Sequence, residues 1–234
     1  MKNKIFLFFG PPGSGKGTLS EICIEQFGWL LLSTGNLCRQ HIAQQTEIGK
    51  QIQQITAQGN LVPDEIIAQM VIEWIANQTI KPTGIIFDGY PRTLQQAEML
   101  YRFWKEKLSD FEIILVKINI DAQLLTDRIL NRIVCSNKNC GRVYSLVPSS
   151  SSKPENDMIC DVCKSALIRR SDDTHESLKL RLKIYYQHEQ EILNFLIGKG
   201  LKIYEIEGNQ SVQNVLQDFK TIVLQNRKYT KRSV

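Results

Sequence analysis

The chain has 234 residues, 42% of them hydrophobic, which suits one ordinary domain with insertions and argues against a disordered or fibrous protein. Its net charge of +5 is compatible with small polyanions such as nucleotides as well as with nucleic acid. The sequence contains no apolar run long enough to span a membrane, and a glycine-rich stretch follows MKNKIFLFF where a secretory signal would have its cleavage site, so a cytoplasmic location is expected.

KIFLFF, Lys4 to Phe9, reads as a buried strand, and GPPGSGKGT, Gly10 to Thr18, follows it directly. Gly10, four residues, then Gly15 and Lys16 is the spacing of a phosphate-binding loop, in which backbone N–H groups converge on an anion because side chains are out of the way. A simple turn would also use glycine and proline. The next segment, however, puts Leu19, Ile22, Cys23 and Phe27 on one helical face, so the loop opens a helix, whose N-terminus favours anions. The place after Lys16 that normally holds Ser or Thr is Gly17, with Thr18 one further on.

Further strands are predicted at Trp29–Leu32, Gly84–Asp88, Phe111–Ile118 and Leu201–Ile206, with helix-period segments between them such as Asp64–Asn77 and Leu94–Lys107. Helix starts are signalled at Pro63-Asp64-Glu65 and at Asp121. This alternation predicts an α/β fold, a parallel sheet covered on both faces. Only helical patterns occur from Asn36 to Pro82, a helical insertion after the second strand. From Val134 to Leu167 the periodicity fades, and SSSSKPEND, Ser149 to Asp157, reads as a low-complexity loop without a packing purpose. Helical pattern resumes over Thr174–Leu196, and the tail RKYTKRSV reads as a frayed basic terminus, not a nucleic-acid arm.

Six cysteines in a reducing compartment are not a disulfide framework. Cys135 and Cys140 have four residues between them, and Cys160 and Cys163 have two, which matches a tetrahedral four-cysteine zinc site. Four thiolates close the coordination sphere, so the metal is structural. A small unit with few large apolar side chains needs such a staple, which can supply on the order of 10 kcal/mol. Cys23 and Cys38 read as reduced, buried thiols on helical faces.

Other short motifs accompany the loop in order: STGNLCR (Ser33–Arg39), GNLVPDE (Gly59–Glu65), DGYPRT (Asp88–Thr93), RILNR (Arg128–Arg132) and RRSDD (Arg169–Asp173). From Ile5 to about Phe219 the chain resembles adenylate kinases of the long, zinc-containing type. The resemblance implies a P-loop NTPase three-layer fold with a five-stranded parallel sheet, a helical AMP-binding insertion and a zinc-ribbon-like LID. The divisions would be a CORE of 1–32, 84–131 and 171–226, the insertion at 33–83, the LID at 132–170 and a tail at 227–234. It also implies a monomer that catalyses ATP + AMP = 2 ADP with Mg2+ and carries structural Zn2+, with ATP, AMP and ADP as partners and neither nucleic acid nor membrane.

Carried over by motif, Lys16 and the amides of Gly13, Ser14, Gly15, Gly17 and Thr18 would hold the ATP phosphates, with Arg128 and Arg132 reaching ATP and Gly208 lying by its adenine. Thr34, Arg39, Val62, Gly89, Arg92 and Gln96 would bind AMP, Val62 near Gly59, and Gln96 would read the adenine. Arg170 and Arg181 would close over the γ-phosphate and acceptor, and Asp88 would hold magnesium through its waters. The catalytic set is therefore Lys16, Asp88, Arg92, Arg132, Arg170 and Arg181. The chemistry agrees independently: a phosphate acceptor is already an oxyanion, so guanidinium groups that neutralise charge are needed and a general base is not.

The chain departs from the family pattern at Asn36, where Asp is usual, at the first cysteine pair, where C-x2-C is usual, and at Ile133, where a second arginine is common. One rival reading is a nucleoside monophosphate kinase with another acceptor or a GTP donor; Thr34 and Gln96 favour AMP. UMP/CMP kinases usually have a short lid without cysteines. A nucleic-acid-binding zinc ribbon would need interleaved aromatics, and the ribbon has only Tyr144. A P-loop hydrolase switch would need a water-orienting motif, which is not apparent.

Overall fold

The computed structural model describes residues 3–57, 62–78, 82–137, 140–148, 150, 152–170 and 172–228. A five-stranded sheet of order β2-β3-β1-β4-β8 is parallel throughout: β1 (Asn3–Phe9), β2 (Leu30–Ser33), β3 (Gly84–Asp88), β4 (Phe111–Asn119) and β8 (Lys202–Glu207). From Ile5 to Phe9 each β1 side chain enters one of two cores, which is why that stretch is continuously apolar and not alternating. Ile5, Leu7 and Phe9 join a cluster with Ile52, Met70, Phe87 and Leu196. Phe6 and Phe8 face the opposite layer, where Phe6 stacks on Trp29 at 4.9 Å and meets Phe219 edge-on at 5.1 Å. Helices α1 (Lys16–Phe27), α5 (Leu94–Lys107), α6 (Ala122–Leu130), α7 (His175–Gly198) and α8 (Val212–Lys228) complete the layers around the sheet. Because β1 lies centrally, its outgoing loop stands in the middle of the sheet's carboxyl edge, where α/β folds bind ligands.

Trp29 was expected inside the second strand, but β2 begins at Leu30. Its indole instead fills the space that Gly84 leaves: a Cβ there would lie 2.6 Å from the ring. The expected insertion is helical, with α2 (Thr34–Ala43), α3 (Glu47–Ala57) and α4 (Asp64–Ala76). At Gly49, α3 crosses the end of α2 so closely that a Cβ would sit 2.0 Å from the His41 carbonyl oxygen. Residues 58–61, including Gly59, lie outside the described residues, as do 229–234 of the basic tail.

The interval around the cysteines is more ordered than its sequence suggests. It forms an antiparallel sheet of order β6-β5-β7, with β5 (Arg132–Cys135), β6 (Val143–Ser145) and β7 (Leu167–Ile168). Strands of two to four residues are too short to show a period. Nor is the serine-rich loop without packing: Ser152 accepts a backbone bond from the Ser145 N–H at 3.0 Å, and Pro154 is buried. Cys23 is buried as expected, whereas Cys38 is only partly so. No helix among the described residues is long and apolar enough to cross a membrane.

Candidate active site

The loop after β1 closes around its own lysine. Gly10 and Gly13 have φ of 148° and 86°, and a Cβ on Gly10 would lie 2.6 Å from Ser14 Oγ and 2.9 Å from the Ile118 carbonyl oxygen. The Lys16 ammonium donates to the Gly10 carbonyl at 2.7 Å, the Pro11 carbonyl at 3.0 Å and Ser14 Oγ at 3.2 Å. Burial pushes Lys16 down to about 8; Asp88 at the end of β3 opposes that shift, and Arg92, Arg181 and Arg132 add to it. The lysine thus senses arginines from three separate parts of the chain.

On the β2–β3 side, Thr34 Oγ1 and Arg92 Nε both donate to the Gly89 carbonyl, each at 2.8 Å. Ser33 caps α2 by accepting from the Asn36 N–H, while the Asn36 side-chain oxygen accepts from Arg39. The amide that replaces the family's usual Asp therefore still holds the arginine, as a neutral acceptor. Gln96 is buried, with both ends of its amide engaged: Oε1 accepts from the Arg92 N–H at 2.7 Å and Nε2 donates to Asp64 Oδ1 at 2.7 Å. Asp64 Oδ2 also accepts from Thr93 Oγ1 at 2.6 Å. Asp64 thereby joins the insertion to the DGYPRT loop, a role that its sequence signal, a helix start, did not reveal. Val62 is partly buried against the large apolar cluster.

The remaining arginines come from β5 (Arg132), the segment after β7 (Arg170), α7 (Arg181) and α6 (Arg128). Arg132 donates Nε to Asp173 Oδ2 at 2.7 Å and Nη2 to Oδ1, and the Asp173 side chain is only 3% exposed. Arg181 lies 3.2 Å from Asp172 and 3.6 Å from Asp173. Burial, reinforced by Arg132 and Arg39, pushes Arg170 down to about 10. Arg128 donates to the Gly208 carbonyl at 3.0 Å, and Gly208 lies so close to β4 that a Cβ would stand 2.7 Å from the Asn119 carbonyl oxygen. Arg92, Arg132 and Arg181 therefore act on Lys16, with Arg39 and Arg170 next to Arg132, and Asp88, Asp172 and Asp173 balance them in part. Like charges so assembled raise the free energy of the site, and a ligand with several negative charges lowers it. Asp172 and Asp173 were visible in the RRSDD motif, but their pairing with Arg132 and Arg181 was not foreseen. A further cluster went unread: Tyr185 donates to Glu189, which pairs with Lys117 at 3.0 Å, with the Gly10 N–H within reach of the Tyr185 oxygen.

The four cysteine sulfurs of the LID all lie within 4.8 Å of one another. Beside the first pair, the Asn137 carbonyl accepts from the N–H groups of Cys140 and Gly141, both at 2.9 Å. Hydrogen bonds, first from the Ser165 side chain, pull the Cys163 thiol down to about 6 and so favour the thiolate that binds metal. This donor set fits a thiophilic ion such as zinc.

A family model described as adenylate kinase matches residues 8–201. The adenylate kinase of Caldanaerobacter subterraneus subsp. tengcongensis is 35% identical over 222 residues, covering 95% of this chain and 97% of that protein. Those of Petrotoga mobilis and Archaeoglobus fulgidus are 37% and 33% identical, each covering 93% of this chain and 96% of the relative. With a glycine loop closed on Lys16 and arginines gathered around it, and with this similarity over nearly its whole length, the chain belongs to the adenylate kinase family and is a nucleoside monophosphate kinase.

Proposed function

We propose that the chain transfers the terminal phosphoryl group of ATP reversibly to AMP, giving two ADP. The observation that carries this reading is the gathering of Arg92, Arg132 and Arg181 with Lys16 and Asp88, with Arg39 and Arg170 next to Arg132. Phosphoryl transfer between two phosphates needs reactants held in line and their charge neutralised, and these residues supply both. Lys16 and the amides of Gly13 to Thr18 hold the donor phosphates, Arg128 and the backbone at Gly208 flank the donor base, and Thr34, Arg39, Val62, Gly89 and Arg92 form the acceptor side. Arg132, Arg170 and Arg181 neutralise the group in flight. The Asp172 and Asp173 carboxylates orient Arg132 and Arg181 in the absence of phosphate.

Magnesium, when bound, supplies charge neutralisation on the phosphate oxygens; Asp88, the carboxylate beside Lys16, is the residue that would hold it. Zinc held by Cys135, Cys140, Cys160 and Cys163 would stabilise the LID and take no part in transfer. The reading divides the chain into a CORE (1–32, 84–131, 171–226), an acceptor insertion (33–83), a LID (132–170) and a tail (227–234), as a cytoplasmic monomer acting on free nucleotides.

A second reading keeps the reaction and changes the acceptor base, because the Gln96 amide already bonds Asp64 and the Arg92 N–H and has one N–H left for a base. The test is transfer from ATP with magnesium to AMP, CMP, UMP and GMP in turn. Strong preference for AMP is expected. Preference for another acceptor establishes the second reading, and no transfer to any while ATP still binds overturns both.

A further inference from the structure

Helix α1 begins at Lys16 and carries Glu21, partly buried, and Glu25, exposed, one turn apart. Arg142 of the LID reaches this helix and donates Nη2 to Glu25 Oε1 at 2.8 Å, across 117 residues of sequence. The backbone of Arg142 is well anchored: its carbonyl accepts from the Cys135 N–H at 2.9 Å, and the next residue, Val143, pairs with Val134 in β5. That strand begins with Arg132, paired there to Ser145 in β6. One small sheet therefore carries both the arginine that faces the phosphate site and the arginine that grips α1. The pair is thus placed to set how far Arg132 stands from Lys16. Burial pushes the Glu21 carboxyl up to about 7, with Arg142 opposing the shift, Glu25 adding to it, Arg170 opposing and Asp88 adding.

We propose that Arg142 and Glu25 form a positioning pair that holds the LID over the phosphate loop and sets the affinity for the donor nucleotide without touching it. Glu21, one turn before Glu25 on α1, is a second carboxylate that the Arg142 charge acts on. The inference deepens the reading of the LID as the cover of the ATP site and rests on it. The pair's side chains are 32% and 58% exposed, so its strength is that of a surface ion pair. A LID that exchanges between open and closed positions converts even a small bias of that kind into donor affinity.

The experiment compares wild type with Arg142→Glu, Glu25→Arg and the double exchange. The readouts are the KM for ATP at saturating AMP, the KM for AMP at saturating ATP, kcat, and thermal midpoint. Each single reversal is expected to raise the KM for ATP roughly two- to fivefold, with the AMP value and the midpoint unchanged. The double exchange should restore it, because the opposite charges again face each other. Unaltered ATP affinity in both singles, or a double variant no better than the singles, overturns the proposal. The penalty of Arg142→Glu should be larger well above the Glu21 pKa than well below it, and Glu21→Gln should remove that difference; a penalty indifferent to pH in wild-type background overturns the part given to Glu21. ATP binding to the same four proteins, followed by calorimetry, separates the two levels. A wild type that binds ATP but transfers to no acceptor defeats the assigned reaction alone, and the binding constants then still decide the pair.

Discussion

The acceptor side of the site and the LID hold their arginines by different means. Around Gly89 the groups are fixed by backbone carbonyls and by Asp64, on strands and helices that share the large core with Ile5, Leu7 and Phe87. Among the described residues of the LID the buried apolar cluster is small, Ile133, Cys135, Tyr144, Cys160 and Leu167, and four sulfurs stand close together beside it. The difference shows where each half can fail. The acceptor side depends on folding of the CORE, whereas the LID can lose its order while the sheet survives.

The largest effect expected is on chemistry. Arg132→Ala should lower kcat by about 10³ or more, with the fold intact by circular dichroism, if the LID arginine meets the transferring group. A variant within a few-fold of wild type would move that role to the acceptor side. Next comes metal removal. Chelation, or Cys160→Ser, should lower the melting temperature and abolish amide-exchange protection in β5–β7 while protection in β1 and β4 persists. Equal loss in both regions would show that LID and CORE unfold as one.

Asp64→Asn tests the other half. One of Thr93 and Gln96 would then face a donor and not an acceptor, at a cost of about 1–3 kcal/mol in urea unfolding. The KM for AMP should rise with that for ATP unchanged; the reverse pattern would contradict the link drawn between Asp64 and the acceptor side.

The pH dependence of Lys16 is a smaller effect. Its pKa in the folded chain, about 8, lies below the ordinary 10.5. The destabilisation from burying its charge is therefore fully present below about 8 and is relieved as pH rises towards 10.5. Bound phosphates favour the ammonium, so in that window ATP binding should take up protons. Calorimetry in buffers of different ionisation enthalpy measures this, and proton release would contradict the assignment. The smallest change expected is for Asn36→Asp, which gives Arg39 a charged acceptor in place of a neutral one and should leave activity equal or somewhat higher. A large loss would show that the acceptor side has adapted around the amide.

Legibility followed the range of the interactions. The glycine loop was readable because its function is local: spacing alone places backbone N–H groups at a helix N-terminus. The cysteine pairs were readable for the same reason, even with the longer first spacing. Trp29 was misplaced because the space for its ring is made by Gly84, which lies in another strand. The short LID strands and the packing of Ser152 and Pro154 were hidden because elements of a few residues have no period. Asp64, Asp173 and the Arg142–Glu25 pair were invisible as partners, since each acts across dozens of residues and any exposed charge in a sequence looks solvated.

By itself the sequence determined the parallel α/β core, the phosphate loop, the four clustered cysteines and the family, because local spacing and continuous apolar runs carry those properties. Tertiary structure alone decided that Arg92, Arg132 and Arg181 meet around Lys16, that Gln96 is committed to Asp64, and that the LID grips α1. Charge–charge and hydrogen-bond energies depend on distance and burial, and only the folded chain sets those for residues so far apart in sequence.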